Sequence, residues 1–235
     1  MDGRSSFNFI YLRLYLFFSL CRPDLALERC HGYRRWRIIE IPMTTPIAAS
    51  PTSSSPIKNI AVFCASADGA DPVYCAVAEE LGRKLAVRGI GVVYGGGRVG
   101  LMHAVAEGAL GAGGRVVGVI PTVLVEQEVA HEGLTELHVT DTMHTRKAMI
   151  GARSDAFIAL PGGFGTFEEM FEALAWQTLK IHSKPVLLLN TNGFYDTLLR
   201  FLDECVVQGM LTQEKREIVL VARTVDEALG MLGIA

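Results

Sequence analysis

Residues 154–169 read Ser-Asp-Ala-Phe-Ile-Ala-Leu-Pro-Gly-Gly-Phe-Gly-Thr-Phe-Glu-Glu. Within them Ala156–Leu160 is apolar without alternation, the pattern of a strand buried on both faces. A Pro-Gly-Gly turn follows, and then the amphipathic stretch Thr166–Leu179. A buried strand that feeds a helix through a tight glycine turn is the unit of a parallel α/β sheet, and the rest of the chain repeats it. Further candidate strands are Ile60–Cys64, Gly91–Tyr94, Arg115–Ile120, Glu136–Val139, Pro185–Asn190 and Ile218–Ala222. Helical patterns at Val73–Val87, Leu101–Leu110, His144–Ala152, Tyr195–Gln208 and Thr224–Leu232 lie between them. This order implies right-handed crossovers and one α/β domain over residues 57–235, with a Rossmann-like, doubly wound parallel sheet flanked by helices. Such sheets bind ligands beyond the carboxyl ends of their strands.

The chain's bounds agree with this. Its 235 residues leave room for one domain of that size. It is 50% hydrophobic and 20% charged, with mean hydropathy +0.30, which excludes a disordered polar protein. No uninterrupted apolar run reaches the ~18 residues of a membrane span, so no membrane partner is expected. A net charge of −3 gives no general attraction to nucleic acid. The five cysteines form no CxxC pair, which points to a reducing compartment.

Composition shifts near residue 57. Of 24 glycines only Gly3 and Gly32 precede it. Residues 1–42 carry seven arginines against four acidic residues, and the apolar run Phe7–Leu20 is broken by Arg13. That run is short for a bilayer and lacks a small-x-small cleavage site. Residues 1–56, ending in the Thr/Ser/Pro/Ala linker Thr44–Pro56, are expected to be a disordered or mis-started extension, with Met43 as the working start. An organelle presequence is the alternative to a cytoplasmic location, although its acidic residues count against it.

Two glycine turns carry the chemistry. Gly95-Gly96-Gly97-Arg98-Val99-Gly100 formally matches G-x-G-x-x-G between a strand and a helix. A dinucleotide site also needs an acidic residue about 20 positions on, and residues 115–121 supply none. The second turn, Pro161–Thr166, places three glycines and a hydroxyl at a helix start, where backbone N–H groups and the helix dipole favour an anion. No Gly-Lys-Ser/Thr follows, so it is not a Walker loop. Thr166-x-x-Glu169 also fits a plain capping box, as does Thr224-x-x-Glu227. Arg146 and Lys147 sit early in a helix, where the dipole disfavours cations. They are either a solvated basic face or an answer to an anionic ligand. His144 has no partner at ligand spacing, so no metal is expected.

Together these pieces resemble one known family. They comprise the glycine turn with Gly100-Leu101-Met102, Met143-x-x-Arg146-Lys147, the quoted stretch through Glu169, Trp176, and His182-x-Lys184-Pro185. The chain over residues 58–233 closely resembles the LONELY GUY family of cytokinin riboside 5′-monophosphate phosphoribohydrolases. The resemblance implies hydrolysis of the N-glycosidic bond of a nucleoside 5′-monophosphate, N6-substituted AMP or AMP itself, without a cofactor. It implies Arg146 and Glu169 as the catalytic pair. It implies substrate contacts from Glu128, Lys147, Gly163, Phe164, Gly165, Thr166, Phe167 and Glu168, with Gly96 and Gly97 in the first turn. It further implies a homodimer with sites near the subunit interface.

The residue types suit that reaction. Breaking the bond builds positive charge on the ribose and negative charge on the base. A carboxylate such as Glu169 answers the first and can activate water. Arg146, permanently charged, suits the second or a phosphate. There are departures from the family pattern: His103 stands where glycine is usual, Ala65-Ser66-Ala67 where Gly-Ser-Ser is common, and Ala175 where threonine is frequent. A molybdenum-cofactor or nucleotide carrier of similar fold is the alternative, but a carrier needs neither member of the Arg146–Glu169 pair.

Overall fold

Alternation is missing from the apolar runs because both faces of the central strands meet a layer of helices. The computed structural model describes residues 56–125 and 130–234, together with two strands, β1 (Leu25–Arg29) and β2 (Trp36–Glu40). β1 and β2 pair antiparallel, Leu25 opposite Glu40, within a unit spanning Met1–Ala49.

The second unit, Ser50–Ala235, holds a seven-stranded parallel sheet. Its strands are β3 (Asn59–Phe63), β4 (Gly91–Tyr94), β5 (Val116–Pro121), β6 (Glu136–Thr140), β7 (Ala156–Ala159), β8 (Val186–Leu189) and β9 (Val219–Ala222). Their order is β6-β5-β4-β3-β7-β8-β9. The described helices are α1 (Val73–Val87), α2 (Gly100–Gly111), α3 (Thr122–Val125), α4 (Met143–Arg153), α5 (Phe164–Thr178), α6 (Asp196–Val207), α7 (Gln213–Glu217) and α8 (Val225–Met231).

Period-2 side-chain direction sorts the core into two halves. Ile60 and Val62 of β3 join Ala156 and Ile158 of β7 beneath Leu81 and Leu85 of α1, Val105 of α2 and Leu229 of α8. Ala61 and Phe63, with Phe157 and Ala159, face the other way, toward Ile150 of α4, Met170 and Leu174 of α5, and Leu202 of α6. The sheet is therefore a layer between α1, α2 and α8 on one side and α4, α5 and α6 on the other.

All seven expected strands are present with ends shifted by no more than one residue. The short α3 and α7 and the 3-10 turn Thr191–Gly193 were not anticipated, because three to five residues are too few to show a period. The chain runs outward from β3 to β6 and re-enters at β7 on the other side of β3. That reversal opens a crevice at the carboxyl ends of β3 and β7. The loops there interlock: Ala65 N–H donates to Pro161 O at 3.2 Å, and Leu101 and Met102 N–H donate to Ala67 O and Ala65 O at 3.3 Å each.

Candidate active site

Thr142 caps α4, its hydroxyl accepting the Thr145 N–H at 3.1 Å. The cap starts the helix so that Arg146 lies one turn in and points under the sheet's edge. Its Nε donates to Val119 O at 2.9 Å, and its Nη1 donates to Glu169 Oε1 at 2.6 Å. Nη2 lies against Gly95, where any Cβ would collide with it. β5, α5 and the turn after β4 thus fix one guanidinium from three sides. Both partners are nearly enclosed, with side chains 9% and 11% exposed. Burial raises the Glu169 pKa above the ordinary carboxylate value, and the Arg146 charge offsets part of that rise. At the end of β3, burial and then the Glu169 charge push the Cys64 thiol up, which leaves it a protonated thiol and a poor nucleophile.

α5 begins earlier than its sequence pattern suggested, because Gly163 is its N-cap. No side chain caps it, and the first turn closes with Phe167 N–H to Gly163 O at 3.0 Å. Thr166 is therefore inside the helix, packed on Gly162, and Glu169 is turned to Arg146. The capping-box reading of this pair does not hold. At Gly163 and Gly165 an added Cβ would meet nothing within 4 Å. Phe164 between them is 94% exposed, and Phe167 stands edge-on to Tyr195 at 6.3 Å. The positive end of a 15-residue helix is left facing outward, lined by glycines that no packing demands.

The first glycine turn is filled by protein. The N–H groups that open α2 are taken by Ala65 and Ala67 carbonyls, and Gly100, at φ +60°, abuts the backbone of Ser66 and Ala67. Gly96 O accepts the His131 N–H at 2.9 Å, and Gly97 O accepts the Tyr94 hydroxyl at 3.1 Å. Gly96 and Gly97, expected to touch ligand, are buried, and Gly95 is the glycine of that turn that faces Arg146.

Lys147, the next residue on α4, forms ion pairs with Glu168 and with Glu172. Two of the expected contact residues, Lys147 and Glu168, therefore hold each other. Burial works against the Lys147 ammonium, but these hydrogen bonds outweigh it and keep its pKa above the ordinary value. Beside it a small cleft runs between α4 and α5, lined by Phe63, Ile150, Phe157 and Trp176 and reaching Glu169. Glu128 lies outside the described residues. Sequence reasoning missed Gly95, the Val119 carbonyl and Cys64. Gly95 was visible in the turn, whereas a backbone carbonyl carries no sequence signal.

A protein-family model described as "Possible lysine decarboxylase" matches residues 102–232. The chain is 45% identical over 194 residues to the cytokinin riboside 5′-monophosphate phosphoribohydrolase of Rhodococcoides fascians, a match covering 82% of this chain and 96% of that one. It is 45% identical over 180 residues to the probable cytokinin riboside 5′-monophosphate phosphoribohydrolase LOGL5 of Oryza sativa subsp. japonica, covering 77% and 73%. Among solved structures, the Moco carrier protein of Chlamydomonas reinhardtii matches at TM-score 0.57 and 25% identity, over 75% of this chain and 95% of that one.

Proposed function

The chain belongs to the LONELY GUY family of cytokinin riboside 5′-monophosphate phosphoribohydrolases, and from that premise we propose a site-level account of its reaction. It is an N-glycosyl hydrolase that releases the free base and ribose 5-phosphate from N6-substituted AMP, or AMP, and so activates a cytokinin. Residues 57–235 are the catalytic unit in this reading.

The 5′-phosphate sits at the start of α5 against the backbone N–H groups of Gly163–Thr166, where the helix dipole favours it. One and a half turns along, Glu169 faces the ribose. As the bond to C1′ breaks, the base leaves with the electron pair and is protonated from solvent. The ionised Glu169 stabilises the ribose cation and takes a proton from the water whose oxygen bonds to C1′. Its raised pKa makes the carboxylate a stronger base than an exposed one, while Arg146 favours its ionised form in part and orients it. The observation that carries this reading is the buried Arg146–Glu169 contact of 2.6 Å at the sheet's reversal point. A carrier gains nothing from such a pair. Lys147, the lysine beside the pair, is unsuited to a Schiff base, because two carboxylates hold it protonated.

The same reading includes a homodimer acting in the cytoplasm. Exposed Met143 on α4, and Phe171 and Leu179 on and just beyond α5, support a second copy covering this side. The cysteine pattern supports the compartment.

Isopentenyladenosine 5′-monophosphate and AMP, each incubated with the protein, should yield free base and ribose 5-phosphate. Glu169→Gln keeps an oxygen for Arg146 and removes the base, so kcat should fall by about 10²–10⁴-fold with binding of the monophosphate largely kept. Normal turnover in that variant would remove Glu169 from the mechanism.

A further inference from the structure

His103 and Glu107 lie four residues apart on α2, so their side chains share one face of the helix. The loop before β6 brings His131 against the same face. The three side chains offer ligand atoms that all lie within 4.8 Å of one another. His131 is fixed from its backbone, through its N–H on Gly96 O at 2.9 Å, and it is only 7% exposed. Its Nε2 is 3.0 Å from Glu107 Oε1, and its ring lies 5.6 Å from that of His103. His103 and Glu107 are exposed, so both can adjust around a rigid third member.

Two imidazoles and one carboxylate are a donor set suited to zinc and its neighbours among divalent transition metals, and poorly suited to magnesium or calcium. Their charge is −1 with both imidazoles neutral, so a bound dication leaves a net positive site with an open fourth position for water or an anion. We propose that His103, Glu107 and His131 bind a divalent transition-metal ion of the zinc class, at a site separate from the Arg146–Glu169 pair.

Two hydrogen bonds of the His131 ring must give way, one at each nitrogen. His131 Nδ1 accepts the Gly133 N–H at 3.1 Å, so without metal the ring proton is on Nε2, facing Glu107. On metal binding through Nε2 that proton moves to Nδ1 and the Gly133 N–H turns away. The hinge for this is a short turn ending in glycine.

Cobalt(II) titrated into the chelator-treated full-length protein should give saturable visible d–d bands, one ion per chain, which zinc abolishes and magnesium does not. Glu107→Gln is the discriminating variant, because its amide oxygen still accepts the Nε2–H and any purely structural bond survives. This variant and the exposed His103→Ala should each weaken cobalt binding by more than about tenfold, while His144→Ala should leave it unchanged. No saturable binding, or binding as tight as the wild type's in either His103→Ala or Glu107→Gln, overturns the site. Because the readout is spectroscopic, its failure would leave the hydrolase reading untouched, and loss of hydrolase activity would leave the metal site untouched.

Discussion

The two glycine turns look alike as sequence and do different work. Each follows a buried strand and opens a helix, and they flank β3 on its two sides. In the turn after β4, the chain itself supplies partners: α2 receives carbonyls of Ala65 and Ala67, and Gly96 and Gly97 receive donors from His131 and Tyr94. In the turn after β7 the start of α5 has no side-chain cap, and Gly163 and Gly165 border open space. The first turn spends its glycines on close packing. The second holds them in reserve, and a phosphate is what such a space fits.

The sharpest way to test that contrast is to remove the phosphate. A riboside lacking the 5′-phosphate forfeits the α5 contacts that hold the reacting bond against Glu169. Its kcat/KM should fall by about a hundredfold or more relative to the monophosphate. Equal rates for the two substrates in a direct assay of base release would show that the open turn does not anchor anything.

Next in size are the glycines themselves. Gly100→Ala puts a Cβ into the backbone of Ser66 and Ala67 at a positive φ. It should lower stability by about 2–4 kcal/mol in urea unfolding, with the m-value unchanged. Gly165→Ala meets no protein atom and sits in the first turn of a helix, so stability should hold or rise by up to about 1 kcal/mol. Its cost should appear in binding, as a KM for the monophosphate raised about tenfold, or ~1.4 kcal/mol. If the two variants behaved alike in both assays, the distinction between a packed turn and an open one would fail.

The strands and long helices were legible because burial on two faces leaves continuous apolar runs, and a period of 3.6 shows over ten or more residues. The site was legible only through its motif as a whole. Thr166-x-x-Glu169 and Thr224-x-x-Glu227 are the same pattern, yet only the second caps its helix. There Glu227 N–H donates to Thr224 Oγ1 at 3.2 Å, and Glu227 Oε2 accepts the Arg223 N–H at 2.7 Å. What separates them is tertiary: an arginine from another helix pairs with Glu169, and among the described residues no arginine ion pair holds Glu227. Local spacing cannot encode that, nor that carbonyls of the β3 loop would fill the first turn. The early cations of α4 were read as either a solvated basic face or an answer to an anionic ligand, and neither reading foresaw that Glu168, Glu169 and Glu172 of α5 pair with them.

The smallest expected effect follows from what the open turn keeps beside it. Burial lifts the Glu169 pKa above its ordinary 4.5, and Arg146 only partly offsets this, so the folded state holds that proton more tightly than the unfolded chain does. Whatever stability the protonated form contributes is fully present below pH 4.5 and is lost as pH rises through the raised value. Glu169→Gln cannot titrate. The stability of the wild type minus that of the variant should therefore decline across that window and level off above it, in unfolding curves collected at a series of pH values. A difference that rises with pH would mean that Arg146 outweighs burial, and the carboxylate would then be a weaker base than hydrolysis asks of it. The decline expected here is the thermodynamic trace of a carboxylate buried for chemistry beside a guanidinium.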